Sequence, residues 1–260
     1  MDRLAAPDNP VGPAALAAPQ ERAVPVVQAD RVARTVEELV AKVAMAAEQY
    51  ARTDARKMPP EVFFLPGTGA SPGFWKPVGE RLPGDWTKHY FGWPGLGDEP
   101  ADPAIKSYDD LIALVETRLG EEPVDLVAQS MGGFIAARVA LAHPKKIRRL
   151  VLTATSGGID LAPFGVSDWR PDYRKAYPDA QPWITEGRAV PNLPVEKIAC
   201  PTLLLWADAD PISPLAIGRH LETRLPNARL HVISSTEHRF AATHAAEVAP
   251  LIAAHLSAQP

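Results

Sequence analysis

The pattern of apolar and polar positions changes near residue 58 of this chain. Residues 1–29 have no apolar periodicity and are rich in alanine and proline, which is typical of a disordered or loosely held tail. Residues 30–57 repeat apolar side chains at steps of three and four, with charged residues on the other face, and so predict an amphipathic helix. This helix either lies on the following domain or pairs two copies of the chain as a homodimer, or translation starts only at Met58.

From residue 58 onward, short apolar runs alternate with helical patterns. Strands that are separated by helices pair in parallel, so the pattern predicts an α/β domain over 58–260, with a mostly parallel, doubly wound sheet and helices on both faces. The predicted strands are 62–65, 86–91, 124–128, 147–154, 201–207 and 230–234. The predicted helices are 74–82, 107–119, 131–142 and 243–257.

One segment, residues 157–198, interrupts the alternation. It contains prolines, aromatic residues and charges but no strand pattern, and it is too long for a plain connection between two strands. We predict that it forms a small lid over the strand ends, and we call it the lid segment. Trp169, Tyr173 and Tyr177 are spaced four apart and would share one helical face, which either packs the lid onto the domain or contributes to a binding site.

Composition excludes several functional classes. The net charge is −4 and no basic stretch is sustained, so nucleic-acid binding is not expected. The single cysteine, Cys200, excludes an internal disulfide framework and a multi-cysteine metal site, and its place before an apolar run indicates a buried structural thiol. No apolar signal region or membrane-length apolar span is present, so we expect a cytoplasmic protein.

The clearest chemical signal lies between Val124 and Gly133. An apolar strand ends at Ala128, Ser130 follows in a turn, and an alanine-rich helical pattern begins directly afterwards. A serine at such an apex lies above the sheet edge, where a base and a substrate can reach its hydroxyl. The motif reads Ala-x-Ser-x-Gly, with alanine where glycine is usual. The alternative is an ordinary helix N-terminus that Ser130 caps.

The last two predicted strands end in the residues that a serine nucleophile needs. Serine requires a base within hydrogen-bond distance, and the base requires an acid that fixes its tautomer. Asp208 and Asp210 follow the fifth predicted strand, and His238 follows the sixth. Because ligands of parallel sheets bind at the carboxyl ends of the strands, these side chains are expected near the serine. The order Ser, Asp, His is that of nucleophile-elbow enzymes.

These motifs together resemble the α/β-hydrolase superfamily over roughly residues 61–257. Residues 64–68 are similar to the strand and turn that the family often writes as His-Gly-x, residues 91–97 to its Pro-Gly-x-Gly loop, and residues 200–211 to its acid strand. Two positions depart from the family pattern: Pro66 stands where histidine is usual, and Glu237 where glycine commonly precedes the catalytic histidine. Neither change removes a catalytic atom.

The resemblance implies specific roles. Ser130 would be the nucleophile, His238 the general base and Asp210 the acid, with Asp208 and His244 as the competing acid and base. The other histidines lie on predicted strands or helices and are interpreted as structural or solvated. The backbone N–H groups implied for the oxyanion hole are those of Thr68 and Met131. No metal and no organic cofactor is implied.

The activity that the resemblance implies is a serine hydrolase cleaving a carboxylic ester or thioester through an acyl-enzyme. The same triad serves lactonases, amidases, C–C hydrolases, lyases and perhydrolases, and a non-catalytic member could bind a small molecule instead. The expected partner is a small acyl ester or thioester, held in an apolar pocket. The candidate pocket residues, each of which could equally pack the core or the lid, are Phe74, Trp75, Phe164, Trp169 and Trp183.

Overall fold

The chain divides at Met58 into two compact units. The computed structural model describes residues 38, 41, 42, 45, 59–69, 71–186 and 191–258. In the first unit, the four described residues are all helical. The predicted tail over 1–29 and the rest of the predicted helix over 30–57 lie outside the described residues, so their roles stay predictions.

A parallel sheet is the centre of the second unit. Its strands are β1 Glu61–Leu65, β2 Thr87–Tyr90, β3 Val124–Gln129, β4 Ile147–Thr153, β5 Thr202–Ala207 and β6 Ala228–Ile233. In the described part of the chain these six strands form one sheet in the order β2-β1-β3-β4-β5-β6. All neighbouring strands run parallel, which confirms the predicted fold class. The central strands are almost wholly buried because helices cover both faces.

Helices lie in the connections between these strands and after β6. They are α1 Lys76–Gly79, α2 Tyr108–Glu116, α3 Met131–Ala142, α4 Arg170–Ala176, α5 Trp183–Glu186, α6 Leu215–Arg224, α7 Phe240–Thr243 and α8 Ala245–Ser257. The predicted helix over 74–82 begins earlier, as a 3-10 turn over Pro72–Trp75, and α6 was not predicted at all. None of the helices in the described ranges has both the length and the apolar character needed to cross a membrane.

Two apolar clusters pack against the opposite faces of the sheet. Successive side chains of a strand point to opposite faces, so Phe63 and Leu65 join one cluster with α2, α3 and α6. Val62 and Phe64 join the other cluster with α8. Each fully buried aliphatic or aromatic side chain contributes about 1.5–3 kcal/mol, so the two clusters account for the main stabilisation of the sheet and leave the carboxyl ends of its strands to the connecting loops.

The lid segment lies between β4 and β5 in the chain, and its described residues, 157–186 and 191–198, include several short helical pieces. It holds α4, α5 and the 3-10 turns Ala162–Phe164 and Val195–Lys197. The shared aromatic face is present: the ring centroids of Trp169 and Tyr173 are 5.5 Å apart, and those of Tyr173 and Tyr177 are 5.1 Å apart. Movement of this segment as a lid stays a prediction.

A charged cluster occupies the amino-terminal ends of β3 and β4. Asp125 is fully buried, and its carboxylate accepts hydrogen bonds from the Arg148 guanidinium. Burial raises the pKa of Asp125 to about 6, although Arg148 acts in the opposite direction. Burial also lowers the pKa of His255 to about 4, and the positive charge of Arg149 lowers it further. At the half-buried Cys200 thiol, burial raises the pKa to about 11. The sequence predicts a buried structural thiol; the side chain is partly buried, and its structural role stays a prediction.

Candidate active site

The turn between β3 and α3 holds Ser130 in a strained backbone conformation. Its φ is 52° and its ψ is −121°, a region that costs a non-glycine residue on the order of 1–3 kcal/mol. Hydrogen bonds from its N–H to the Thr153 carbonyl and from the Thr155 hydroxyl to its own carbonyl fix the turn. The Ser130 side chain makes no capping hydrogen bond, so the alternative of an ordinary capped helix N-terminus is wrong.

Two glycines allow α3 to begin directly against neighbouring backbone. A Cβ on Gly132 would overlap the carbonyl oxygens of Leu65 and Pro66, and a Cβ on Gly133 would lie 2.5 Å from the Thr155 hydroxyl. Only a residue without a side chain fits at either position. The N-terminus of α3 therefore lies against the turn over residues 66–69, which follows β1 and which we call the β1 turn.

His238 and Asp210 form a close pair above the ends of β5 and β6. The Nδ1 atom of His238 lies 2.7 Å from the Oδ2 atom of Asp210. Asp210 is buried, and its Oδ1 atom accepts hydrogen bonds from the backbone N–H groups of Ile212, at 2.8 Å, and Ser213, at 3.0 Å. These contacts fix the carboxylate, and the contact at Nδ1 leaves Nε2 as the nitrogen for proton transfer.

The two competing residues lie elsewhere. Asp208 is exposed, and its carboxylate accepts a hydrogen bond from the Ser235 N–H at 2.9 Å. His244 lies between α7 and α8, with its Nδ1 atom 3.0 Å from the Thr243 hydroxyl. Glu237, the residue before His238, accepts a hydrogen bond from that same hydroxyl. The structure thus brings Asp210, and not Asp208, to the histidine after β6.

Gln129 connects the serine turn with the histidine loop, and it was not among the residues that the sequence singled out. Its side chain is buried, and its Nε2 atom donates to the His238 carbonyl at 3.3 Å. On its other side, a Cβ on Gly67 would overlap the Oε1 atom of Gln129. One side chain therefore contacts both the histidine loop and the β1 turn. The only signal for it in the sequence is its position next to the serine.

The β1 turn carries one of the predicted oxyanion-hole donors. Within the described ranges, neither the Thr68 N–H nor the Met131 N–H has a hydrogen-bond acceptor. The turn is fixed from its carbonyl side, because the Trp93 indole donates to the Pro66 carbonyl at 2.8 Å. The Trp75 indole donates to the carbonyl of the preceding residue at 3.1 Å. The turn can therefore present its N–H groups in a constant direction.

The five candidate pocket residues are divided between the two apolar clusters. Phe74 and Trp75 are buried in the cluster that contains α8, and the Trp75 indole is committed to a backbone carbonyl, so this residue is part of the core. Phe164, Trp169 and Trp183 are partly buried on the other cluster. The Trp183 ring packs edge-on against Tyr108, with centroids 5.4 Å apart. A single pocket built from all five residues stays a prediction.

A cavity of about 510 Å³ lies between the lid segment and α6. Phe164 lines it and packs edge-on against His220 of α6, with ring centroids 5.4 Å apart. The remaining lining residues are Ile159, Asp160, Pro163, Asn192, Leu193 and Arg224. Because the serine, the aspartate and the histidine described above do not line this cavity, it is separate from the catalytic candidates.

Comparison with known proteins identifies the class. The family model described as "alpha/beta hydrolase fold" matches residues 60–193, just over half of the chain, and the chain belongs to this family. Among solved structures, an esterase from Thermogutta terrifontis has a TM-score of 0.61 at 18% identity, with 75% of this chain and 88% of that chain covered. The enol-lactonase from Burkholderia xenovorans LB400 has a TM-score of 0.62 at 18% identity, covering 77% and 92%. These structures confirm the predicted fold.

Curated relatives of similar sequence indicate the type of bond on which enzymes of this class act. A pimeloyl-[acyl-carrier protein] methyl ester esterase of Neisseria meningitidis is 29% identical over 253 residues, which cover 77% of this chain and 79% of the relative. A poly(3-hydroxyalkanoate) depolymerase of Ectopseudomonas oleovorans is 29% identical over 228 residues, which cover 72% and 80%. The prediction of a hydrolase acting on ester bonds is confirmed at the level of class.

Proposed function

We propose that the protein hydrolyses a carboxylic ester, with Ser130 as the nucleophile, His238 as the general base and Asp210 as the acid. The observation that carries this proposal is the 2.7 Å contact between Asp210 and the Nδ1 atom of His238. This pair lies beyond the carboxyl ends of the strands, where the strained turn of Ser130 also lies. The geometry is that of a base whose tautomer is fixed for proton transfer at Nε2.

The reaction proceeds in two halves. The Ser130 Oγ atom attacks the ester carbonyl carbon while His238 takes the hydroxyl proton, and His238 then gives this proton to the departing alcohol. Water, deprotonated by His238, next attacks the acyl-enzyme and releases the carboxylic acid, with Ser130 restored. In both halves the oxyanion would accept hydrogen bonds from Thr68 and Met131, whose N–H groups lack acceptors in the described ranges. Losing one such donor typically costs about 2.7–4 kcal/mol of barrier.

The substrate class that we propose is the methyl ester of an acyl chain. Its support is the printed name of the Neisseria meningitidis relatives, which act on a pimeloyl-[acyl-carrier protein] methyl ester. The aromatic side chains around the lid segment are consistent with an apolar acyl group. Thioesters and lactones remain as rivals because the same triad cleaves them. A homodimer through residues 30–57 and a location in the cytoplasm also stay predictions from the sequence.

The decisive experiment labels the serine. Wild type, Ser130→Ala and His238→Ala are treated with a fluorophosphonate, and intact mass with peptide mapping locates the adduct. We expect one adduct, on Ser130, that both variants lose. Hydrolysis is then compared across acyl methyl esters, thioesters and lactones of equal chain length, with the methyl ester expected to give the highest kcat/KM. A folded wild type with no adduct and no hydrolysis would contradict the proposal.

A further inference from the structure

The lid segment donates hydrogen bonds to the β1 turn. The Tyr177 hydroxyl donates to the Gly69 carbonyl at 2.8 Å, and the Tyr173 hydroxyl donates to the Thr68 carbonyl at 3.4 Å. Together with the two indoles described above, four aromatic side chains thus donate to carbonyl oxygens in and just before this turn. The two tyrosines provide the donors at the carboxyl-terminal end of the turn, at the predicted oxyanion-hole residue Thr68 and at Gly69 after it.

Tyr173 also connects the β1 turn with a second loop. Its hydroxyl accepts a hydrogen bond from the Gly97 N–H at 3.0 Å while it donates to Thr68, which a hydroxyl can do because it is both donor and acceptor. Gly97 in turn lies close to the β1 turn, since a Cβ on it would be 3.3 Å from the Gly69 carbonyl oxygen. One buried hydroxyl therefore fixes the spacing of two loops.

Close packing adds to these hydrogen bonds. A Cβ on Gly69 would lie 2.9 Å from the Tyr177 ring, so the ring rests directly on the backbone of the turn. Tyr173 is buried, and the two tyrosine rings contact each other at a centroid distance of 5.1 Å. The two hydroxyls are therefore held by packed rings, one from α4 and one from the residue directly after it, and both rings lie against the turn.

We propose that Tyr173 and Tyr177 are positioning residues that hold the Thr68 N–H in the direction the oxyanion requires. This inference rests on the proposed function, because it assigns a role within the same reaction. The peptide that carries the Thr68 N–H has a fixed carbonyl before it, at Pro66, and fixed carbonyls after it, at Thr68 and Gly69. A displacement of Pro66, Thr68 or Gly69 would break these contacts, so the residues that flank the Gly67–Thr68 peptide are held in place on both sides. The tyrosines act on the transition state through the backbone and do not touch the substrate.

The test removes only the hydroxyls. Tyr173→Phe, Tyr177→Phe and the double variant keep the stacked rings and lose the donors. A misplacement of catalytic groups by about 1 Å costs on the order of 10²-fold, so we expect kcat to fall about tenfold in each single variant and about 10²-fold in the double variant. KM should stay within about twofold, because the oxyanion forms only in the transition state. The Ki of an alkyl boronic acid, which forms a tetrahedral adduct, should rise in proportion to the loss of kcat.

The matched control is Tyr90→Phe. The Tyr90 ring stacks on Phe64 at a centroid distance of 5.0 Å, and no hydrogen bond of its hydroxyl occurs among the residues the structure describes. This variant should keep the wild-type kcat. All rates are divided by active sites counted with a fluorophosphonate, so unfolded molecules do not contribute, and thermal unfolding records any loss of stability separately.

The outcomes separate the two proposals. If wild type hydrolyses esters and the double variant keeps its kcat per titrated site, the positioning role is overturned and the proposed function stands. The same holds if the loss appears in KM and the boronic-acid Ki is unchanged, because that result would mean a binding role. If wild type neither labels nor hydrolyses any ester, the proposed function fails, and the role of the tyrosines fails with it.

Discussion

The imidazole of His238 and the carboxylate of Asp210 lie 2.7 Å apart although 28 positions separate them in the chain. Each residue stands in the loop after one of two neighbouring strands, β5 and β6, so the parallel pairing of these strands creates the contact. The register of the sheet therefore sets the geometry of the proposed catalytic pair. Changes to either partner are expected to act on the reaction more than on the fold.

We expect Asp210→Asn to lower kcat by about 10⁴-fold, because an amide at this position favours the wrong histidine tautomer. Asp208→Asn is the matched control: the same substitution in the same loop, on a carboxylate that contacts the Ser235 N–H and not the histidine. It should retain most of the wild-type activity. The measurement is kcat on an acyl methyl ester, with equal folding of both variants checked by circular dichroism. A larger loss in Asp208→Asn would exchange the roles of the two aspartates.

Gly132→Ala should damage both stability and catalysis. The new methyl group would overlap the carbonyl oxygens of Leu65 and Pro66, so α3 or the β1 turn must shift. Overpacking of this kind costs about 1–3 kcal/mol. Because the shift separates the Met131 and Thr68 N–H groups, kcat should fall by more than tenfold. Urea unfolding and steady-state kinetics measure the two effects.

The control for that variant is Gly84→Ala, because a Cβ on Gly84 meets no atom within 4 Å. Replacing glycine where alanine fits stabilises a protein by about 0.4–1 kcal/mol, so this variant should be at least as stable as wild type and fully active. An active, undisturbed Gly132→Ala protein would mean that the β1 turn and α3 are not in the close contact described here.

His255 should make the folded state less stable in acid. Its pKa falls from an ordinary 6.5 to about 4 in the folded state because the ring is buried. The unfolded chain therefore binds the proton first, and the contribution of His255 is complete above pH 6.5 and is lost as the pH falls towards 4. The free energy of unfolding of wild type, relative to that of His255→Gln, should rise by ~1 kcal/mol between pH 4 and 6.5. This value is smaller than the full pKa shift would give, because the imidazole ring is partly exposed. Urea unfolding at four pH values measures it, and a constant difference would contradict the prediction.

Asp125 should make the folded state more stable in acid, which is opposite to the effect of His255. Burial raises its pKa from 3.8 to about 6, so the folded state binds the proton more tightly, and this contribution is lost as the pH rises from 3.8 through 6. In the same unfolding experiment, the stability of wild type relative to Asp125→Asn should therefore decrease from pH 4 to 6. An increase would mean that the Arg148 guanidinium dominates over burial at this carboxyl.

Removal of residues 1–58 should leave the catalytic unit folded. Residues 59–260 form a compact unit that contains the sheet, both apolar clusters and the three catalytic candidates. We expect the shortened chain to keep the wild-type kcat per titrated site. Analytical ultracentrifugation of both chains then tests the role predicted for residues 30–57. A full-length dimer that becomes a monomer would support pairing through the helix, whereas loss of folding would make the helix part of the core.

Local signals in the sequence predicted much of this structure. The limits of α3, Met131–Ala142, agree with the prediction to the residue, because a buried strand, a turn and an apolar helix follow each other without interruption. By contrast, the sequence does not predict α6 although Ile217 and Leu221 are one helical turn apart, since Gly218 lies between them and, apart from Leu221, polar residues fill its second half. Apolar periodicity is a clear signal only where burial is extensive.

Contacts between distant segments were beyond the reach of sequence patterns. Spacing predicted that Tyr173 and Tyr177 share a face, but their hydroxyls reach residues 105 and 108 positions away. Those distances depend on how the lid segment folds back onto the sheet, which no local signal encodes. For the same reason, the sequence does not single out Gln129, and it leaves Trp75 open between pocket and core, whereas the structure has its indole donating to the backbone of β1.

The protonated state of Cys200 makes the native chain suitable for site-specific labelling. The thiolate is the form that attacks thiol reagents, and with a pKa of about 11 only a fraction on the order of 10⁻³ or less of this thiol is ionised near pH 7.5. It is the chain's single cysteine. One new cysteine at the exposed Asp172 of α4 would therefore accept a fluorophore alone, and time-resolved anisotropy would then report how rigidly α4 is held during turnover.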